Sequence, residues 1–161
     1  MSDNPPGWAV AKLTEVAYFQ EGPGLRKFQY RSAGIPFLNI RTFRNERIDR
    51  SVCNHLDPDE VAQKYSHFLV EADDILVATS GSLGKIAVAT EEDLPLVLNT
   101  SITRFRPHRP DLFERRFLYW FLKSDWFFDQ AKEAATGSAQ LNFGPSHIAT
   151  FSIRVPPLAE Q

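Results

Sequence analysis

The sequence predicts an α+β fold: a twisted, mostly antiparallel sheet, with helices concentrated in the C-terminal half. Two observations predict it. Between residues 35 and 106, short apolar runs alternate with turns that contain Gly or Pro, which is typical of antiparallel strands. Between residues 110 and 135, apolar side chains recur instead at the spacing of amphipathic helices.

The N-terminal third has the least regular pattern. Residues 8–19 mix apolar and polar side chains and fit either a strand or a short helix, and residues 20–24 form a turn rich in Gly and Pro. A strand is predicted over residues 35–40, with Pro36 near its start, before a polar, Arg-rich connection over residues 41–50.

A helix start is predicted at Asp57. Its carboxylate can cap the first turn, Pro58 suits the first helical position, and Glu60 completes the spacing of a capping box. We expect this short helix to continue through residues 61–65.

The middle of the chain predicts a hairpin. A buried strand over residues 74–79 leads into a tight, Gly-bearing turn over residues 80–84 and a returning strand over residues 85–89. Two further strands are predicted over residues 96–98 and 101–106.

Two helices are predicted next. Pro110 and Asp111 begin one that continues to Leu122, and Ser124 can cap a second that runs toward Ala135. Their aromatic side chains are expected in the core rather than on a base-stacking platform; these are Trp120, Phe121, Trp126, Phe127 and Phe128.

The C-terminal segment ends in a strand and a double proline. A break is predicted over residues 136–138, a loop over residues 142–146, and a last strand over residues 151–155. Pro156 and Pro157 stop that strand and can begin a helix at its first turn. Since a compact domain seldom ends at a helix start, we expect a module cut from a longer protein, or one that borrows its helix from a partner.

Composition favours a globular, intracellular chain. The 161 residues, 43% of them hydrophobic, include 13 Phe and can fill one core. The lone Cys53 excludes an internal disulfide and a multi-cysteine metal site, which fits a reducing cytoplasm. No apolar run approaches the roughly 18 residues of a membrane span, and no signal pattern opens the chain.

Charge is segregated although the net value is only −2. The cations form two strips, Arg26, Lys27, Arg31, Arg41, Arg44, Arg47 and Arg50, and then Arg104, Arg106, His108, Arg109, Arg115 and Arg116. The acids collect at Asp57, Asp59, Glu60, Glu71, Asp73, Asp74 and residues 91–93. A basic face of this kind can bind phosphate locally, and the alternative is two solvated faces.

Two segments invite a catalytic interpretation, and each departs from its motif. In residues 79–86, Thr79 and Ile86 stand where a phosphate-binding loop needs Gly and a metal-ligating hydroxyl. The turn is therefore either a plain hairpin turn or one that approaches a nucleic-acid backbone. Asn4-Pro5-Pro6-Gly7 is similar to a methyltransferase tetrapeptide, but Gly7 replaces the aromatic that stacks on a flipped base.

Several segments, taken in order, resemble the target-recognition domain of type I restriction–modification specificity subunits. They are Trp8 with Leu13, Gly22 to Gly24, Gly34 to Ile40, Asp73 to Lys85, Asn99 before residues 102–106, Phe117 to Leu122, Thr136 to Asn142, and the ending Val155-Pro156-Pro157-Leu158-Ala159-Glu160-Gln161. The resemblance spans nearly the whole chain, and its order and ending make it specific.

The resemblance implies a non-catalytic DNA-recognition module. Residues 1–155 would be the recognition domain, which reads one half of a split double-stranded DNA target, and residues 156–161 would begin a spacer helix. The implied partners are modification (methyltransferase) subunits, a restriction subunit reached indirectly, and a second recognition domain or a second copy in a homodimer. S-adenosylmethionine, ATP and magnesium would belong to those partners, and no cofactor to this chain. No membrane is implied, and the location would be cytoplasmic.

Loop residues of base-reading type accompany that implication. Arg can contact guanine and Asn or Gln can contact adenine, which makes candidates of Arg41, Arg44, Asn45, Gln140 and Asn142. Phosphate contacts are expected from Ser80, Ser82 and Lys85. Two other classes stay open: a small DNA-acting enzyme, such as a nuclease or methyltransferase, and a protein-interaction domain that does not bind DNA.

Overall fold

Two compact units make up the chain in the computed structural model, which describes residues 4–135 and 142–161. The central unit is Gln20–Phe105, and the terminal unit combines the segments before Gln20 and after Phe105. The prediction that residues 1–155 form one recognition domain before a spacer helix stays a prediction. Residues 136–141 fall outside the described residues, and with them the predicted break at 136–138 and Gln140.

The described strands are short and follow one another in chain order as β1 (Ala9–Lys12), β2 (Ala17–Glu21), β3 (Ile35–Phe37), β4 (Phe43–Arg44), β5 (Arg47–Ile48), β6 (Asn54–Leu56), β7 (Ile75–Ala78), β8 (Ile86–Val88), β9 (Ile102–Pro107) and β10 (Ser152–Val155). The α-helices are α1 (Leu13–Val16), α2 (Pro58–Glu60), α3 (Arg115–Lys123), α4 (Asp125–Ala134) and α5 (Pro145–Ile148). The longest helices lie in the C-terminal half, which confirms the predicted α+β class.

A four-stranded sheet has the strand order β2-β9-β7-β8, and its strands β7 and β8 lie entirely in the central unit. Strand β7 pairs antiparallel with both β8 and β9, with Leu76 opposite Ala87 on one side and Arg104 on the other. All four residues of β7 are buried, because a central strand has no solvated face here. The predicted hairpin over residues 74–89 is therefore confirmed.

The predicted strand over residues 96–98 is wrong. Leu96, Val97 and Leu98 are fully buried, but they make only isolated bridges, such as the pairing of Val97 with Phe37 and with Leu69. Their apolar run reflects burial in the core around Leu38 and Leu56 rather than membership of a ladder.

Both predicted helix caps are confirmed, whereas one predicted helix start is wrong. The Asp57 carboxylate accepts from the amides of Asp59 (2.9 Å) and Glu60 (3.2 Å), and the hydroxyl of Ser124 accepts from the amide of Phe127 at 3.3 Å. The helix predicted at Pro110 instead begins at Arg115. Before it, the amides of Leu112 and Phe113 bond to the Arg109 carbonyl in a separate turn.

The terminal unit fills its core with aromatic rings. Phe127 on α4 contacts Phe121, Phe143 and Phe151 with ring centroids 5.6 to 5.8 Å apart. Phe121 and Phe127 are buried, as predicted, whereas Trp120 is 60% exposed. Its exposure is an exception to the prediction that the helical aromatics are core.

The C-terminal tail is held by its own side chains. Glu160 accepts from the Trp8 indole N–H at 2.9 Å, and Gln161 accepts from the amide of Glu114 at 2.7 Å while donating to the Leu112 carbonyl. Leu158 lies in a 3-10 turn at residues 158–160 and is 45% exposed. These contacts give the Glu-Gln ending a structural role within the terminal unit.

The buried cation of Arg104 joins three segments of the central unit. The Arg104 guanidinium, on β9, donates to the Gln20 side chain (2.6 Å), to the backbone carbonyls of His67 (3.1 Å) and Leu69 (2.7 Å), and to the Asp74 carboxylate at 3.2 Å. The Arg104 and Asp74 side chains are 6% and 2% exposed. Arg104 therefore does not contribute to a solvated basic strip, which corrects that part of the charge interpretation.

Loss of the Asp74 charge should destabilise the central unit strongly. An Asp74→Asn variant leaves the Arg104 cation buried without its counter-charge, so we expect about 3 kcal/mol less free energy of unfolding. Urea denaturation followed by circular dichroism measures the loss. The matched control is Asp129→Asn, which breaks the exposed pair with Lys132 and should cost nothing measurable. Equal midpoints for the two variants would contradict the structural role of Asp74.

A close backbone approach explains Gly22. A Cβ atom added there would lie 2.3 Å from the backbone nitrogen of Asn99, whereas one added at Gly24 would meet nothing within 4 Å. The amide of Gly22 also bonds to the Ile102 carbonyl at 3.2 Å, which fixes its position against the segment that precedes β9.

A Gly22→Ala exchange should therefore lower the free energy of unfolding by about 1–3 kcal/mol, because buried backbone has to shift to admit the methyl group. Thermal unfolding of Gly22→Ala beside Gly24→Ala measures it. The Gly24→Ala chain should unfold at the wild-type temperature. A wild-type unfolding temperature for Gly22→Ala would show that the two segments are not held this closely.

Candidate nucleic-acid interface

The Arg-rich connection contains a hairpin that the sequence pattern did not predict. Strands β4 and β5 pair antiparallel, with Phe43 opposite Ile48 and Arg44 opposite Arg47. The two residues between them, Asn45 and Glu46, have φ of 51° and 61°. Positive φ at both positions identifies a two-residue turn of the type that suits a tight hairpin.

This hairpin presents two guanidinium groups on one short ladder. Like charges directly opposite each other repel, and within the described part of the chain only Arg44 has a carboxylate partner, Asp49 at 3.2 Å. The hydrogen bond that the Ser51 hydroxyl donates to Asp49 is the main reason that the pKa of Asp49 lies below its usual range. The charge of Arg44 lowers this pKa further. An anion bound beside exposed Arg47 would relieve the remaining repulsion.

Arg41 lies just before the hairpin, in a 3-10 turn over Ile40–Thr42. The side-chain oxygen of Asn39 accepts from the backbone amide of Arg41 at 2.9 Å and caps the turn. The Arg41 side chain is exposed, so the turn projects a cation from a fixed backbone position.

The turn between β7 and β8 contacts the 3-10 turn over Ile40–Thr42. The Lys85 ammonium donates to the Ile40 carbonyl at 3.3 Å, and a Cβ atom added to Gly81 would lie 2.8 Å from the Ile40 side chain. Gly81 and Gly84 have φ of +73° and +88°, which favour glycine. Because β8 follows this segment, no helix N-terminus is available for a phosphate-binding loop.

The two turns lie side by side in the central unit. A cavity of about 220 Å³ separates them and is lined by Phe43, Asn45, Glu46, Gly84, Lys85 and Ile86. We refer to residues 39–48 and 80–85 together as the paired-turn surface. It brings together six of the predicted contacts: Arg41, Arg44, Asn45, Ser80, Ser82 and Lys85.

The predicted contacts are not equally available for binding. Arg41, Arg44, Asn45 and Ser82 are exposed, Ser80 is half-buried, and Lys85 is half-buried with its ammonium bonded to Ile40. Arg47 is also an exposed cation on this surface, although it was not among the predicted DNA contacts. Its position opposite Arg44 follows from the hairpin, which was not predicted. The sequence signal for that hairpin is Asn45, a turn-forming residue that lies between the apolar residues Phe43 and Ile48.

Neither of the two remaining predicted contacts belongs to the described part of the central unit. Asn142 is exposed in the terminal unit, and Gln140 falls outside the described residues. Arg50 belongs to the same basic strip as Arg41, but its guanidinium donates to the Glu92 carbonyl at 3.1 Å. A second cavity, of about 560 Å³, is lined by three acidic residues, Glu46, Glu92 and Asp93, against one cation, Arg47. The acidic residues reduce the positive field on that side.

The described residues show neither a reactive thiol nor a group of side chains that could hold a metal ion. Burial raises the pKa of the Cys53 thiol to about 11, which keeps it protonated near neutral pH. In residues 4–135 and 142–161, no three His, Cys, Asp or Glu side chains form a group that could hold a metal ion. No described helix is long and apolar enough to cross a membrane.

Comparison with known proteins identifies the family to which this chain belongs. The model of the type I restriction modification DNA specificity domain matches residues 5–161. The chain is 24% identical over 166 residues to the type I restriction enzyme EcoKI specificity subunit of Escherichia coli (strain K12). That alignment covers 98% of this chain and 34% of the subunit, so the chain spans about a third of its relative.

Solved structures share the fold. The HsdS subunit from Thermoanaerobacter tengcongensis superposes with a TM-score of 0.68 at 21% identity, over 99% of this chain and 36% of that one. A chain from a structure of type I R-M system assembly and conformational transition gives a TM-score of 0.70 at 20% identity, with the same coverage. The S subunit from M. genitalium gives 0.59 at 19% identity, over 96% of this chain and 36% of that subunit.

Proposed function

Because this chain belongs to the family of type I restriction–modification DNA specificity domains, we propose that it recognises one half of a split double-stranded DNA target. The observation that carries the proposal is the family match over residues 5–161, and the paired-turn surface supplies its chemistry. Exposed cations, an amide and hydroxyl groups on two adjacent turns are the groups with which proteins contact DNA.

The proposed DNA contacts fall into two chemical groups. Arg41, Arg44 and Asn45 read base edges, since guanidinium and amide groups can each make paired hydrogen bonds with one base. Ser80, Ser82 and Lys85 contact the phosphate backbone and set the position of the turns on the duplex. Asn142 and Gln140 stay predicted base contacts of the terminal segment.

The proposed partners complete the activity. Modification subunits would carry methyl transfer with S-adenosylmethionine, and a restriction subunit, reached indirectly, would cleave with ATP and magnesium. A second recognition domain, or a second copy of this chain, would read the other half of the target. This module would contribute recognition and no catalysis, in the cytoplasm.

Selection of duplexes from a randomised pool tests the proposal. The chain is incubated with its modification subunits, bound duplexes are recovered and sequenced, and a short shared sequence is expected. Methyl transfer or cleavage by the purified chain alone, abolished by a point change in it, would instead favour an enzyme. A pool that shows no shared sequence and no salt-dependent binding would overturn DNA recognition.

The paired-turn surface should account for part of the salt dependence. Arg41→Ala combined with Arg44→Ala removes two cations, so affinity should fall. The slope of log K against log salt should become shallower by about 0.9 for each DNA phosphate that the protein no longer neutralises. Fluorescence anisotropy with the selected duplex at several salt concentrations measures both.

The matched control removes two exposed arginines of the terminal unit, Arg109→Ala with Arg116→Ala. It should leave the slope closer to the wild-type value. Equal slopes for the Arg41/Arg44 variant and the wild type would show that the paired-turn surface is not the DNA-binding face.

A further inference from the structure

A second turn in the central unit exposes an aromatic ring. Phe28 lies in a 3-10 turn over Lys27–Gln29 and is 82% exposed. Its ring contacts no other ring among the described residues. Isolated apolar residues are common on protein surfaces, so exposure alone does not indicate a binding site. What distinguishes Phe28 is how its backbone is held and what surrounds it.

The turn is fixed on its inner side by Gln29. This side chain is 7% exposed and donates to the Glu60 carboxylate and to the Tyr65 hydroxyl, each at 2.8 Å. Its oxygen accepts from the amide of Arg26 at 2.8 Å, which closes the turn. A buried side chain with all these partners allows the backbone around Phe28 little freedom.

The turn is also fixed where it ends. The Arg31 guanidinium donates to the carbonyls of Phe28 at 3.0 Å and Tyr30 at 3.1 Å, and the Arg31 amide bonds to the His55 carbonyl at 2.9 Å. The Tyr30 ring packs on buried Phe37 with centroids 5.0 Å apart. Phe28 is therefore presented to solvent from a backbone fastened to the core.

The charge of the segment that contains Phe28 points to one class of partner. Arg26, Lys27 and Arg31 flank Phe28, all are exposed, and no carboxylate pairs with Arg26 or Lys27 in the described part of the chain. Residues 22–45 contain five cations and no acid, and they connect this turn to Arg41 and Arg44 of the paired-turn surface. A polyanion with flat apolar faces complements such a segment better than a protein surface does.

We propose that Phe28 is a DNA-contacting residue that inserts its ring at a base step of the bound duplex. The inference rests on the proposed function and adds a second contact, which acts by stacking rather than by hydrogen bonding. Apolar wedges of this kind unstack a step, and the flanking cations hold the adjacent phosphates. The ring would then favour targets with an easily unstacked step at that position.

Base-analogue fluorescence tests the insertion. Duplexes that carry the selected half-target are prepared with 2-aminopurine at successive positions, and the intact chain is added to each. Unstacking at one step should raise the fluorescence there. Phe28→Ala should abolish that rise and weaken binding about tenfold, as expected for removal of one stacked base. The salt slope should stay unchanged, because no cation is removed.

Two further variants separate the ring from the fold. Phe28→Trp keeps a flat ring and should retain both the fluorescence rise and most of the affinity. Trp120→Ala removes an exposed aromatic of the terminal unit and should change neither. All three variants should unfold at the wild-type temperature, since the exchanged side chains are exposed.

The outcomes distinguish this inference from the proposed function. Wild-type affinity and fluorescence for Phe28→Ala, with DNA still bound, would overturn the insertion alone. Failure of the wild-type chain to bind any duplex would overturn DNA recognition, and the insertion with it. Capture of a protein partner that Phe28→Ala no longer binds, without an effect on DNA binding, would also overturn the insertion.

Discussion

The central unit depends on the buried pair between Arg104 and Asp74. Four acceptors from three separate segments meet one guanidinium: a side chain of β2, a carboxylate just before β7, and two carbonyls of the segment that follows α2. A buried charge is stable only when such partners satisfy it. The pair therefore sets how the first end of β7 is placed, and the paired-turn surface forms at the other end of the same strand.

That pair also changes how the charge pattern is understood. The sequence shows two basic strips, but the structure uses their members differently. Arg104 is structural, Arg50 serves backbone carbonyls, and Arg44 is paired with Asp49, while Arg41 and Arg47 are exposed on the turns. A near-neutral chain can therefore present a local positive field, because some of its cations serve the fold and others the surface.

Local chemistry predicted some parts of the fold well. Asp57 and Ser124 cap helices where expected, because a cap needs only a side chain and the amides two or three residues later. The hairpin over residues 74–89 was equally local. The start of α3 was not, because the Arg109 carbonyl closes a separate turn around Pro110 before the helix begins.

The site was predicted in part for the same reason. The residue types of the paired-turn surface were identified, but the contact between its turns depends on Lys85 reaching the carbonyl of Ile40, 45 residues away. The hairpin at Asn45 was not predicted because Glu46, rather than glycine, takes the second positive φ. Exposure of Phe28 depends on burial of its neighbour Gln29, which no local pattern encodes.

The two-residue turn at Asn45 and Glu46 has a consequence for how this domain evolves. Its length is fixed by the strand pairs on either side, so the hairpin can change its side chains but hardly its size. Under the proposed function, a lineage would reach new targets by single-codon changes at Arg44, Asn45 or Arg47 rather than by lengthening this loop. Codon 45 is the most constrained of the three, because few residues other than Asn, Asp and Gly tolerate its backbone conformation.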